Sequence, residues 1–134
     1  MSRQLRVIGW KHVNEMIAQM AREFVDDRFD CIYGEPRGGW IVAVLLSHKT
    51  GLPVTRYSNQ GRVLWVDDII DSGRTLTLAD HGFSGHAALY HRHDLKTDAY
   101  RCADFIDEWI VFPWEDLSKA KQDQAEYEAK RAAS

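Results

Sequence analysis

Residues 63–76, Val-Leu-Trp-Val-Asp-Asp-Ile-Ile-Asp-Ser-Gly-Arg-Thr-Leu, hold the densest chemistry in the chain. Asp71, Ser72, Gly73, Arg74 and Thr75 set an acid, a hydroxyl, a glycine, a base and a second hydroxyl in consecutive positions. Where an apolar strand delivers the chain into such a turn, the backbone N–H groups, both hydroxyls and the start of a following helix form a cradle for a phosphate monoester. Asp67 and Asp68 stand just upstream, where carboxylates accept hydrogen bonds from vicinal hydroxyls or hold Mg²⁺. Phosphate on one side and a diol or metal on the other describe a sugar phosphate.

A second stretch, Gly34-Glu35-Pro36-Arg37-Gly38-Gly39-Trp40, carries a different anion chemistry. Paired glycines let backbone amides approach an anion closely, and Arg37 adds a charged donor fork. Alone, such a loop also reads as a plain connection between two elements.

Both loops need elements to hold them. Val63 to Val66 is an unbroken apolar run, the pattern of a fully buried parallel strand, and the strand is expected over 63–70. Val13, Ile17, Met20, Phe24 and Val25 recur at helical spacing over 10–25. Residues 29–33 read as the first core strand, 40–49 as a helix closed by Thr50-Gly51, and 52–57 as a second strand. Arg74 to Asp80 fits a short helix and 87–92 the next strand. Strands alternating with helices predict an α/β fold with a doubly wound, mostly parallel sheet flanked by helices. Residues 94–115 are irregular and aromatic, which suits a small hood completing one domain over 1–115. Residues 116–134 read as a polar helical or frayed tail.

The 63–76 segment resembles the phosphoribosyl-pyrophosphate (PRPP) motif of the type I phosphoribosyltransferases, and Gly34 to Trp40 resembles their pyrophosphate loop. Asp107-Glu108-Trp109-Ile110-Val111-Phe112-Pro113-Trp114-Glu115 is similar to the hood segment of the xanthine/guanine/hypoxanthine branch. The resemblance spans roughly residues 5–115. It implies transfer of 5-phosphoribosyl from PRPP to a 6-oxopurine (guanine, xanthine or hypoxanthine), with release of pyrophosphate. Asp67, Asp68, Asp71, Ser72, Gly73, Arg74 and Thr75 would then bind the ribose phosphate, and Arg37, Gly38 and Gly39 the pyrophosphate. Asp67 and Asp68 would hold Mg²⁺, and Asp71 would accept a proton near purine N7. Trp109 would stack on the base, Ile110 would offer main-chain contacts, and Arg92 would replace the branch's lysine as donor to O6.

Two departures stand out. Pro36 fills a position where the resemblance leads one to expect another residue. Between the second strand and the PRPP motif, relatives carry a further strand and a closing loop, of which Ser58-Asn59-Gln60-Gly61-Arg62 is almost all that remains. A lost lid also permits a nucleotide- or PRPP-binding sensor with little turnover, and the unusual Arg92 permits a different acceptor.

The 134 residues suffice for one domain with a sizeable core. A net charge of −3 disfavours nonspecific nucleic-acid binding, and no apolar run approaches the roughly 18 residues of a membrane span. The N-terminus lacks a signal-peptide pattern, so a cytoplasmic enzyme is expected. Its partners would be PRPP, a purine base or nucleotide, and further copies of itself in a dimer or tetramer. Cys31 and Cys102 read as reduced residues in or near the core, His91 and His93 as solvated surface residues, and Trp114 as a core aromatic. His12, His48, His81 and His86 show no ligand spacing.

Overall fold

The computed structural model describes residues 3–79 and 82–133. Met1, Ser2, Asp80, His81 and Ser134 lie outside them, including the expected last residue of the short helix, Asp80. The strands in chain order are β1 (Gln4–Val7), β2 (Cys31–Gly34), β3 (Val54–Thr55), β4 (Val63–Ile70), β5 (Gly85–Arg92), β6 (Tyr100–Phe105) and β7 (Glu108–Val111). The helices are α1 (Trp10–Glu23), α2 (Gly38–Thr50), α3 (Arg74–Ala79) and α4 (Ala120–Ala133). They form two compact units, Asn14–Ile106 and Met1–Val13 with Asp107–Ser134. Residues 107–115 thus group with 116–134 rather than with 94–106.

The larger unit is built on a five-stranded sheet in the order β3-β2-β4-β5-β6, every neighbouring pair parallel. β4 occupies the centre, and Val63, Leu64, Trp65 and Val66 are fully buried, as a strand covered on both faces requires. The chain moves outward from β2 to β3, then returns past β2 to β4 and continues the other way through β5 and β6. Winding therefore reverses between β2 and β4. In open α/β sheets the carboxyl ends of the strands flanking such a reversal are where ligands bind.

Helix α2 covers β2 and β4 with Val42, Ala43 and Leu46, while Trp40 and Val44 stay exposed. It closes as expected at Gly51, whose φ of 80° allows its N–H to reach the Ser47 carbonyl at 2.8 Å. Helix α1 touches β6, where Gln19 Nε2 donates to the Tyr100 hydroxyl at 2.9 Å and the Cys102 thiol donates to the Met16 carbonyl at 3.3 Å. Cys31 is buried and Cys102 partly so, and both are free thiols.

Several boundaries differ from the sequence expectation. Val25 is 74% exposed because α1 stops at Glu23 and the chain turns away. The strand expected over 52–57 shrinks to Val54–Thr55 at the sheet edge, since Pro53 has no N–H to pair and contributes only its carbonyl, to Ile32. Residues 100–105 are no part of an irregular hood. They form β6, the edge strand beside β5, and its mostly half-exposed side chains give no apolar run to betray it.

In the smaller unit β1, which the sequence did not reveal, pairs parallel with β7, setting Leu5 opposite Trp109 and Arg6 opposite Ile110. Phe112 and Trp114 stack at 4.7 Å, and Trp10 lies 5.7 Å from Trp114, consistent with Trp114 as a packing residue. Of the two forms expected for 116–134, the helical one is seen over Ala120–Ala133. Ala120 and Gln124 of α4 are buried, Tyr127 meets the Trp109 ring at 5.6 Å, and Glu128 pairs with Arg3 at 3.2 Å.

Gly39 provides a direct test of the α2–β4 contact. A Cβ there would stand 2.7 Å from the Val66 carbonyl oxygen, a backbone atom that cannot swing aside. Gly39→Ala should destabilise the chain by about 1–3 kcal/mol, as overpacked positions do. Urea denaturation measures it, and an unchanged midpoint would mean that α2 is free to shift outward.

Candidate functional site

The reversal point brings the two chemical stretches together. β2 ends at Gly34, opposite Val66, so Asp67 and Asp68 extend β4 past the end of β2, where the 35–39 loop departs. The loop is fastened to β4: Glu35 N–H donates to the Val66 carbonyl at 2.9 Å, and Trp65 Nε1 donates to Glu35 Oε1 at 3.0 Å. Gly39 N–H donates back to the Glu35 carbonyl at 2.8 Å, starting α2. The Asp68 carboxylate lies against Gly38, in the space a side chain there would need. Arg37 is exposed, and the Pro36–Arg37 peptide is cis.

Asp67 and Asp68 form a tight acidic pair. Asp68 N–H donates to Asp67 Oδ1 at 2.8 Å. Burial, then the neighbouring Asp68 charge, pushes the Asp67 carboxyl well above the usual carboxylate range, with a smaller push from Glu35. Burial raises Asp68 too, against hydrogen bonds that favour its ionised form. Both carboxyls are therefore harder to ionise than free ones. Such a pair suits a hard divalent cation, which would replace the proton and relieve the repulsion. Among the described residues no group of three or more His, Cys, Asp or Glu is arranged to hold a metal ion. Substrate oxygens and water would have to complete the shell of any Mg²⁺ bound at Asp67 and Asp68, a common arrangement for that ion beside phosphates.

Beyond Ile70 the chain enters the 71–75 turn. Gly73 takes φ = +79°, a left-handed conformation that disfavours other residues. Ser72 Oγ accepts from Arg74 N–H at 3.2 Å, and the Gly73 carbonyl accepts from both N–H and hydroxyl of Thr77, at 2.9 and 2.8 Å. Ser72, Arg74 and Thr75 are exposed. Because Ile70 pairs with His91, the next residue on each strand falls side by side. Arg92 Nε and Nη2 grip Asp71 Oδ1 at 2.9 and 2.5 Å, and Nε also reaches the Asp71 carbonyl at 3.1 Å. This edge of the guanidinium, expected to read a base, is thus spent on Asp71. Nη1 sits 3.5 Å from the Ile106 carbonyl.

The structure corrects the reading of His91 as a surface residue. It is completely buried on β5, and burial lowers its pKa below the usual histidine range, so it stays neutral. His93 is exposed. Glu35 was missed as part of the site. An acid inside a glycine-rich loop was the available signal, but its tie to Trp65 spans 30 positions. Trp109 and Ile110 belong to the smaller unit. Trp109 is half-buried beneath the Arg3 guanidinium at 5.8 Å, and Ile110 is buried in the β1–β7 pair.

The pair's titration has a defined sign. A carboxyl whose folded pKa is raised binds its proton where the unfolded chain, near the usual value of about 4, has released it. Its contribution to stability is complete below that value and is lost as pH rises through the raised value. Asp67→Asn mimics the protonated acid, so it should flatten the loss of stability as pH rises above about 4 and leave the variant more stable than the wild type at neutral pH. Denaturation at several pH values checks this, and parallel wild-type and variant curves would refute it.

No protein-family model and no curated protein sequence matches the chain. Solved structures do. A purine phosphoribosyltransferase from Pyrococcus horikoshii Ot3 is 27% identical, with a TM-score of 0.71 over 83% of this chain and 94% of that one. A hypothetical protein from Neisseria gonorrhoeae with bound ppGpp is 18% identical, with a TM-score of 0.70 over 92% and 96%. A Helicobacter pylori xanthine-guanine-hypoxanthine phosphoribosyltransferase is 20% identical, with a TM-score of 0.67 over 90% and 99%. With its parallel five-stranded sheet and flanking helices, the chain has the type I phosphoribosyltransferase fold, and its structural neighbours include purine phosphoribosyltransferases at low identity.

Proposed function

We propose that the protein transfers 5-phosphoribosyl from PRPP to a 6-oxopurine and releases pyrophosphate. The observation that carries the reading is the contact of the 35–39 loop with the acidic end of β4 at the reversal point, with the Asp68 carboxylate on Gly38. In this reading Ser72 to Thr75 hold the 5′-phosphate, and Arg37 with the Gly38 and Gly39 amides holds the pyrophosphate. Asp67 and Asp68 bind the ribose hydroxyls or Mg²⁺, which when bound neutralises charge on the departing pyrophosphate. The transition state resembles an oxocarbenium ion, so the residues act mainly by placing charge and holding the reactants in line. Asp71, held by Arg92, takes up the purine proton.

Trp109 and Ile110 complete base recognition in this reading, and Arg92 offers O6 its Nη1 rather than a bidentate fork. Assembly as a homo-oligomer belongs to the same proposal: Trp40, Val44 and Val54 line an open groove of about 540 Å³ and are each close to half exposed.

A second reading, a nucleotide sensor with little turnover, is favoured by one feature of the structure. Only residues 56–62 connect β3 to β4, and Asp30 ties them down by accepting the Arg62 N–H at 2.7 Å. No long lid is available there to exclude water. The Neisseria protein with bound ppGpp makes a guanine nucleotide a reasonable ligand for such a sensor.

Mixing the protein with Mg²⁺, PRPP and each purine separates the two. Pyrophosphate should appear with guanine, xanthine or hypoxanthine and not with adenine, and Asp71→Asn should lower kcat roughly 10²–10⁴-fold while PRPP still binds. Tight nucleotide binding with no pyrophosphate would establish the sensor instead.

Base selection is testable through two variants. Trp109→Ala should weaken guanosine and adenosine monophosphates alike, by roughly 1–3 kcal/mol for a lost stack. Arg92→Ala should narrow the preference for the 6-oxo base. Equal affinity of the wild type for both nucleotides, by competition binding, would remove Arg92 from base recognition.

A further inference from the structure

The turn between β5 and β6 grips the 71–75 turn at two points. Arg92, at its start, holds Asp71. Leu95, at its tip, lies directly on Gly73, where a Cβ would stand 3.1 Å from Leu95 Cδ2. The first grip is polar and the second apolar, and both depend on the shape of one short segment.

That shape is keyed by the buried His91. Its Nδ1 is 2.8 Å from the Arg92 carbonyl, and its Nε2 is 2.7 Å from Thr97 Oγ1. A carbonyl oxygen only accepts, so Nδ1 carries the ring proton, and Nε2 of the neutral ring accepts the Thr97 hydroxyl proton. The same two oxygens organise the turn's backbone: the Arg92 carbonyl also accepts Leu95 N–H at 3.3 Å, and Thr97 Oγ1 accepts Ala99 N–H at 3.2 Å. One imidazole thus ties the two arms of the turn together, with Leu95 between the ties. Leu95 also packs against the buried cluster of Trp65, Ile70, Leu76, Ala88 and Ala99. That apolar contact supplies adhesion without direction, and hydrogen bonds supply the direction.

We propose that His91 and Thr97 are positioning residues whose hydrogen bond holds the 92–99 turn in the shape that presses Leu95 onto Gly73 and aims Arg92 at Asp71, and so presets the 71–75 turn for a phosphate monoester. The ligand named here rests on the proposed reading of that turn. A preset cradle loses less conformational freedom on binding, so the benefit falls on the phosphate rather than on the base.

Thr97→Val removes the hydroxyl at nearly constant volume, and Thr97→Ser keeps it. Amide hydrogen exchange at Arg74 and Thr77, whose N–H groups bond to Ser72 Oγ and the Gly73 carbonyl, reports the turn without any ligand. The valine variant should speed exchange at these two amides by roughly 3- to 10-fold, the worth of one hydrogen bond, leave the β4 amides unchanged, and be rescued by serine. Calorimetry should show guanosine monophosphate weakened by a similar factor and guanosine unaffected. Unchanged exchange at Arg74 and Thr77, acceleration of all amides alike, or equal weakening of both ligands would overturn the proposal. A wild type that binds no guanosine monophosphate would sink the phosphate reading by itself, and the exchange measurement would still decide whether His91 and Thr97 hold the turn.

Discussion

The first turn of α2 approaches β4 as closely as backbone allows, and the architecture of the larger unit follows from that contact. Gly34, Gly38 and Gly39 have no room for a side chain: their missing Cβ atoms would strike the Gly39 carbonyl, the Asp68 carboxylate and the Val66 carbonyl in turn. Three glycines let a helix start, a strand end and a carboxylate share one small volume. The cost in chain entropy is repaid by the apolar face of α2 buried on β2 and β4. Any side chain at these points would push the loop off the strand and separate the acids from the amides.

Electrostatics at this junction are left deliberately unbalanced, whereas those at the next turn are closed. Asp67 and Asp68, with Glu35 close enough to act on Asp67, are buried acids whose ionisation the fold opposes. Asp71, by contrast, meets a guanidinium that spans the gap between neighbouring strands. Strained charge of the first kind is the usual mark of a place where a ligand or cation completes the set, and a matched pair of the second kind is the mark of a part being held in position. The same division runs through the histidines: buried His91 spends both ring nitrogens on shaping a turn, while His93 lies exposed beside it.

The parts of the structure that are legible in the amino-acid order are those whose cause is local. The β4 run and the Gly51 cap of α2 each follow from the residues on the spot: buried apolar side chains in succession, or a glycine where φ is positive. The 34–40 loop and the 71–75 turn stand out for the same reason, because their glycines, hydroxyls and acids are contiguous. β1 and β6 escaped notice because their side chains are only partly buried and follow no clean alternation, and each becomes a strand through its neighbour's edge.

The sequence by itself therefore determined the α/β class and the central strand, and it set acids, hydroxyls and glycines side by side in 34–40 and 67–75. Tertiary structure alone decided their pairing. Glu35 with Trp65, Asp68 with Gly38, Asp71 with Arg92 and Gly73 with Leu95 are 30, 30, 21 and 22 positions apart. Such partners are set by strand order and register, which depend on how the whole sheet packs and not on any stretch of it.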